Sequence, residues 1–390
     1  MKKNSGAISA LYLQGLIQGI AFTTIPAAGN FLTSSQGFNL TTSQYGSLFL
    51  PMILGAILSS FFGGELAKRI GIKVIFGIGG VFNIAAMAIF AALPLTNTFL
   101  PLLYIGMFLL GSGFGANLTT LNSFVLHYFP KKSSAALTAL HSCLGIGTAI
   151  GPLTFSSFLK MKMWWVDPLL ISAAFLILLV WSLVVFPLRI NFVKTKKTIH
   201  SSHGTAHWII YVAFASIALL YGICETTFGN WGPYFLHNQR GFSQTLADEA
   251  LALFWGTLTA GRIIVVILCL SIAPKWIYRS LAPIIITALI VLLLTTNQSM
   301  ALIAFALAGL GCSAFLPLTI NLAQKSFMPI AQAVSGEMVA IYMLGYGLAA
   351  EGIGLIHRYT TMSWNMLFCW LILVSGLIAL LTFIVARRKT

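Results

Sequence analysis

The chain has 390 residues, of which 58% are hydrophobic and only 7% charged, and its mean hydropathy is +0.93. Soluble domains carry roughly 25% charged residues, so this composition excludes a soluble enzyme and indicates a chain immersed in lipid. The net charge of +15 would suit nucleic acid if it formed one basic face. It is instead dispersed through short connecting segments, so no nucleic-acid partner is expected.

Twelve apolar runs are predicted to span a membrane, at 8–33, 43–63, 73–94, 99–128, 134–158, 167–188, 208–236, 246–270, 280–296, 299–324, 332–356 and 365–386. The shortest, 280–296, has 17 residues and the others 21 or more, enough to cross a hydrocarbon core of about 30 Å. The fold class is therefore an all-α membrane protein. The first run, within MKKNSGAISALYLQGLIQGIAF, is too long for a secretory leader and contains Gln14 and Gln18. It reads as an uncleaved span, with the two amides four residues apart on one helix face.

The second run is followed by GGELAKRIGIK, taken as a loop holding Gly64, Glu65, Lys68, Arg69 and Gly71. The fourth contains GFGANLTTLNSFV, with Thr119 and Asn122 three apart, and the fifth contains ALHSCLGIGTAIGPL, with His141. Neutral amides and hydroxyls both donate and accept, as sugar hydroxyls do. They serve equally as contacts between helices. A buried histidine can relay protons or simply be hydrogen-bonded in place.

Residues 189–207, RINFVKTKKTIHSSHGTAH, form the longest non-apolar stretch. They are predicted to be a basic cytoplasmic linker between an N-terminal six-helix bundle, 1–188, and a C-terminal one, 208–390. The seventh run contains YGICETTFGNWGPYF. Glu225 lies 17 residues beyond position 208, about 25 Å along a helix, where a lone carboxylate is costly. Gly229, Gly232 and Pro233 predict a broken or bent helix there. Trp231 can stack on a sugar ring or sit in an interfacial belt. Arg262, in GTLTAGR of the eighth run, has Glu225 or a solute oxygen as natural partner. Glu351, in the eleventh run, is either a gate residue or one reaching the outer interface.

Of the 22 Lys and Arg residues, 17 fall on the side of the N-terminus and 4 on the other, with Arg262 inside a span. By the positive-inside rule both termini are cytoplasmic. The five cysteines all lie within spans, so neither a disulfide nor a metal site is expected. No Asp or Glu is placed inside a span of the first half, which assigns any proton coupling to the second half or to a histidine.

The halves also resemble each other. LGIGTAIGP from Leu144 matches LGYGLAAEG from Leu344, Gly55 matches Gly256, and Gly111 and Gly113 match Gly309 and Gly311. Duplication of a six-helix unit follows, which is a transporter plan.

On these features the chain resembles the major facilitator superfamily over its whole length. GGELAKRIGIK is similar to that superfamily's signature segment, G-x-L-A-D-R-x-G-R-K, with Lys68 where the acid usually stands and Glu65 three residues earlier. Four patches resemble fucose-permease-like sugar transporters: the span-4 glycine helix ending in Asn122, the pattern of His141, Gly145, Gly147, Gly151 and Pro152, the segment CETTFGNW, and GTLTAGR. Proton-coupled members of that group place carboxylates on spans 1 and 4, where this chain has Phe22 and Leu118. The resemblance implies two pseudo-symmetric six-helix bundles and a non-enzymatic secondary transporter or uniporter. It would move a small polar solute, sugar favoured, by alternating access, or else an organic anion, siderophore or drug. It also implies no cofactor, H+ or Na+ as a coupling ion, a monomer in contact with membrane lipid, and a plasma or bacterial inner membrane location.

Overall fold

The computed structural model describes residues 5–95, 99–188, 190, 205–360 and 362–385. Among the described residues it is helical throughout, with no strand. Twelve helices are long and apolar enough to cross a membrane. They are α1 (Ser5–Thr33), α2 (Gln44–Ile70), α3 (Ile72–Leu95), α4 (Phe99–Tyr128), α5 (Ser133–Lys160), α6 (Val166–Val185), α7 (Trp208–His237), α8 (Glu249–Ser271), α9 (Pro274–Leu294), α10 (Gln298–Ser326), α11 (Met328–Ile353) and α12 (Trp364–Val385). In hydrocarbon every backbone N–H and C=O must be satisfied within the segment, and a helix does this.

Three expectations are corrected. The segment at Gly64, Glu65, Lys68 and Arg69 is not a loop, because α2 continues through it to Ile70. The apolar run marks only the hydrocarbon-embedded part, while the helix runs on through polar residues, and Lys68 pairs with Glu65 at 2.6 Å one turn away. The turn is reduced to Gly71, whose φ of 103° is open to glycine and strained for other residues. Glu65 is therefore engaged by its own helix. Second, α9 starts at Pro274, six residues before the predicted run, because Lys275 and Arg279 extend it beyond the apolar core. The Arg279 guanidinium lies over the Trp276 and Phe383 rings, 5.0 and 4.9 Å from their centroids. Third, the first half does hold a buried acid. Asp167 is in the first turn of α6 and 3% exposed, where the positive helix end favours a carboxylate.

The linker predicted at 189–207 falls mostly outside the described residues. By contacts the chain forms two compact units. The first comprises Met1–Lys131, Leu140–Val193 and Met328–Ala340, and the second comprises Lys132–Ala139, Lys194–Phe327 and Ile341–Thr390.

Helix pairing repeats with an offset of six helices. In the first unit α4 packs on α2 and α3, α3 on α6, and α1 on α4 and α6. In the second α10 packs on α8 and α9, α9 on α12, and α7 on α10 and α12. Long uninterrupted buried stretches run from Leu110 to Leu126 in α4 and from Gly311 to Gln324 in α10.

Glycine makes these crossings close. A Cβ on Gly111 would collide with the Met52 carbonyl of α2, and one on Gly309 with the Phe254 carbonyl of α8. Such small residues let helix backbones touch where lipid supplies no hydrophobic drive for association. One predicted match in the repeat is not matched in packing: Gly55 abuts the Phe108 carbonyl and Ser112, whereas Gly256 faces open space.

Candidate functional site

The second unit contains a buried polar cluster built by two prolines and one glutamate. Helix α10 is interrupted at Ser313–Ala314, between α-helical stretches Gln298–Cys312 and Phe315–Ser326. Pro317 has no N–H to give the Ser313 carbonyl four residues before it, so that carbonyl needs another donor. Arg262 of α8 supplies it, Nε donating to Ser313 O at 3.0 Å. The neighbouring Cys312 carbonyl accepts from Tyr221 Oη of α7, also at 3.0 Å. The break in α10 thus becomes the anchor for a guanidinium and a phenol.

Glu225 lies one turn beyond Tyr221 on α7. It is 4% exposed, and Tyr342 Oη of α11 donates to its Oε2 at 3.3 Å. Arg262 and Tyr221 are the other groups acting on the carboxylate. The Tyr221 and Tyr342 rings stack with centroids 5.7 Å apart. Groups from α7, α8 and α11 therefore converge on a single acid, and α10 anchors two of them.

Of the two outcomes expected from Gly229, Gly232 and Pro233, a broken or a bent helix, the break does not occur. The helix runs on to His237 in widened form, with π-helical turns at Thr227–Trp231 and Phe235–Gln239. Pro233 leaves the Gly229 carbonyl without its i+4 donor, and a wider turn relieves the resulting ring clash. Such π segments are frequent at functional sites.

Trp231 is held structurally. Its Nε1 donates to the Ala349 carbonyl at 2.9 Å, and its ring packs 5.4 Å from Trp364. Glu351 is exposed near the end of α11, and the described contacts do not bring it into the cluster.

The first unit holds a second polar group, made of amides. Gln18 and Asn83 exchange hydrogen bonds, Asn83 Nδ2 to Gln18 Oε1 at 2.8 Å and Gln18 Nε2 to Asn83 Oδ1 at 3.2 Å. Gln14 Nε2, Thr119 Oγ1 and both side-chain polar atoms of Asn117 and Asn122 are buried without a hydrogen-bond partner among the described residues. His141 is also buried, on α5. Sequence reasoning identified Gln14, Gln18, Thr119 and Asn122 but missed Asn83 and Asn117. The available signal was an amide within a glycine-rich apolar helix, Asn83 alone in α3 and Asn117 beside Gly113 and Gly115 in α4. It likewise missed Tyr221 as a hydrogen-bonding partner, Tyr342 and Pro317.

The model of the family described as the Major Facilitator Superfamily matches residues 10–355. The chain belongs to the Major Facilitator Superfamily. It is thus a multi-pass integral membrane protein and a transporter of small molecules. No curated protein sequence matches this superfamily member. Among solved structures it is similar to FucP, a Major Facilitator Superfamily transporter in the outward conformation, at 15% identity and a TM-score of 0.79, covering 100% of this chain and 99% of that one. A variant of the E. coli fucose:proton symporter FucP aligns at 14% identity, with a TM-score of 0.77 and full coverage of both chains. The proton:xylose symporter XylE, bound to 6-bromo-6-deoxy-D-glucose, aligns at 13% identity and a TM-score of 0.78, covering 98% and 95%. These likenesses establish the fold.

The reciprocal amide pair provides a test within the first unit. Asn83→Leu leaves the Gln18 amide buried and unpaired, and the expected loss of stability is about 1–3 kcal/mol. Gln18→Leu with Asn83→Leu should recover most of it. The measurement is thermal unfolding of detergent-solubilised protein. Single-variant losses that simply add in the double variant would show that the pair does not stabilise the unit.

Proposed function

We propose that this transporter is a sugar:proton symporter in which Glu225 carries the coupling proton. The observation that carries the reading is the burial of Glu225 among Tyr221, Tyr342 and Arg262 on a π-widened helix. A charged carboxylate at that depth is tolerated only with a cation and hydrogen-bond donors around it. A sugar hydroxyl inserted between Glu225 and Arg262 can accept from the guanidinium and donate to the carboxylate. Weakening their mutual attraction in this way favours proton uptake, so solute and proton bind together.

The sugar class is supported by the neutral donor set of the first unit. Gln14, Asn117, Thr119 and Asn122 have buried polar atoms available to a polyhydroxylated solute. It is also supported by the likeness to FucP and XylE, both described as sugar:proton symporters. Residues 1–188 and 208–390 are proposed as the two pseudo-symmetric bundles, acting as a monomer by alternating access in a plasma or bacterial inner membrane. Gly64 supports a role for the α2 signature segment in gating, since a Cβ there would meet the Gln332 carbonyl and Ala333 of α11.

Purified protein in liposomes should catalyse counterflow of at least one sugar and not of carboxylates or siderophores. That sugar should drive proton uptake, and Glu225→Gln should reduce the proton flux at least ~10-fold, a barrier effect of about 1.4 kcal/mol. Counterflow of only carboxylates or siderophores would overturn the sugar assignment. Undiminished proton flux in Glu225→Gln would overturn the coupling assignment.

The distribution of Lys and Arg supports cytoplasmic termini. In intact cells a cysteine at Asn238 should react with an impermeant thiol reagent and one at Ser201 should not. The reverse pattern would invert the topology.

A further inference from the structure

The outer surface of the first unit has a groove of about 720 Å³ lined by Lys73, Val74, Gly77, Ile78, Val81 and Phe82 of α3, with Leu179 and Leu183 of α6 and Leu188 beyond it. We propose that this groove binds one anionic phospholipid, with an acyl chain lying along it and the phosphate on Lys73. The site is independent of the solute and of the Glu225 cluster.

The geometry matches one lipid leaflet. Positions 74, 77, 78 and 81 fall on one face of α3. From Lys73 to Phe82 the helix rises about 13 Å, close to half of a hydrocarbon core of about 30 Å. Every lining residue except Lys73 is apolar or glycine. The lysine sits where both helices end: α3 begins at Ile72, and α6 stops at Val185 with Leu188 following. The Lys73 N–H approaches the Leu188 carbonyl at 3.5 Å, which closes that end of the groove. A helix pair that ends together marks the membrane surface, so the ammonium lies at headgroup depth and the groove descends from it into hydrocarbon.

Charge selects the lipid. Among the described residues no carboxylate pairs with Lys73, and the nearby Glu65 is taken by Lys68. The positive end of α3 adds to its field. A basic group at the head of an apolar groove between membrane helices is the arrangement that holds anionic headgroups. Gly77 keeps the groove open, since a Cβ there would stand 3.8 Å from Leu183 with no closer neighbour. Val81, 54% exposed, lines its deeper part.

The test is native mass spectrometry of the full-length protein, delipidated in detergent and titrated with phosphatidylglycerol or phosphatidylcholine. Thermal unfolding is followed in parallel. Wild-type protein should retain one phosphatidylglycerol, with a preference over phosphatidylcholine of about five-fold, as one lysine near the headgroups supplies. Lys73→Gln should abolish the preference while weak binding of both lipids persists. Gly77→Phe should reduce retention of both lipids by filling the groove. If Gly77→Phe does not yield folded protein, Val81→Phe carries the same test. Equal retention of the two lipids by the wild type would overturn the proposal. So would an unchanged phosphatidylglycerol preference in Lys73→Gln, or unchanged retention in the groove-filling variant.

Discussion

A polar group in hydrocarbon has no solvent to bond with, and this constraint organises the structure at every level. It makes each spanning segment helical and drives the buried amides, hydroxyls and charges into the interiors of the two units. It also explains the glycine-lined crossings. Lipid is as apolar as leucine, so helices gain little by hiding apolar side chains and associate through close backbone contact instead. Gly111 of α4 against α2 and Gly309 of α10 against α8 are the same solution used twice.

The same constraint converts prolines from defects into binding features. Pro317 leaves the Ser313 carbonyl without its helical donor, and the interruption at Ser313–Ala314 exposes the Cys312 carbonyl beside it. Arg262 and Tyr221 bond to these two oxygens. That fixes a cation and a phenol beside Glu225, which Tyr342 approaches from α11. Pro233 acts similarly on α7, where the chain widens into π turns rather than ending. Two of the three groups around the acid, Arg262 and Tyr221, are thus themselves held by backbone carbonyls at the interruption. A small shift in α10 or α7 would be felt directly at the carboxylate.

The class of fold was legible because apolar runs of about 20 residues are strong, local signals. The internal repeat was legible from glycine spacing, although the matching of Gly55 with Gly256 recorded a shared letter and not a shared contact. Helix ends were less so: α2 and α9 extend past their apolar runs through Lys68, Arg69, Lys275 and Arg279, which hydropathy scores as loop. Glu225 and Arg262 stood out as charges in an apolar setting. Their partners did not, because tyrosines at 221 and 342 resemble ordinary core aromatics and Pro317 discloses its orphaned carbonyl only once its helix is placed. Asp167 was passed over because it sits at the edge of its run, where a carboxylate at a helix start is unremarkable.

The central claim is that Glu225 and Arg262 form one energetic unit at the coupling site. Removing a single member of a buried charge pair typically costs 3–5 kcal/mol, while removing both costs far less. A double-mutant cycle of Glu225→Gln and Arg262→Gln, read by unfolding temperature in detergent and by sugar uptake in liposomes, measures this directly. The expected result is a large loss of stability in each single variant, substantial recovery in the double variant, and no recovery of uptake. Stability losses that add, within about 0.5 kcal/mol, would contradict the account.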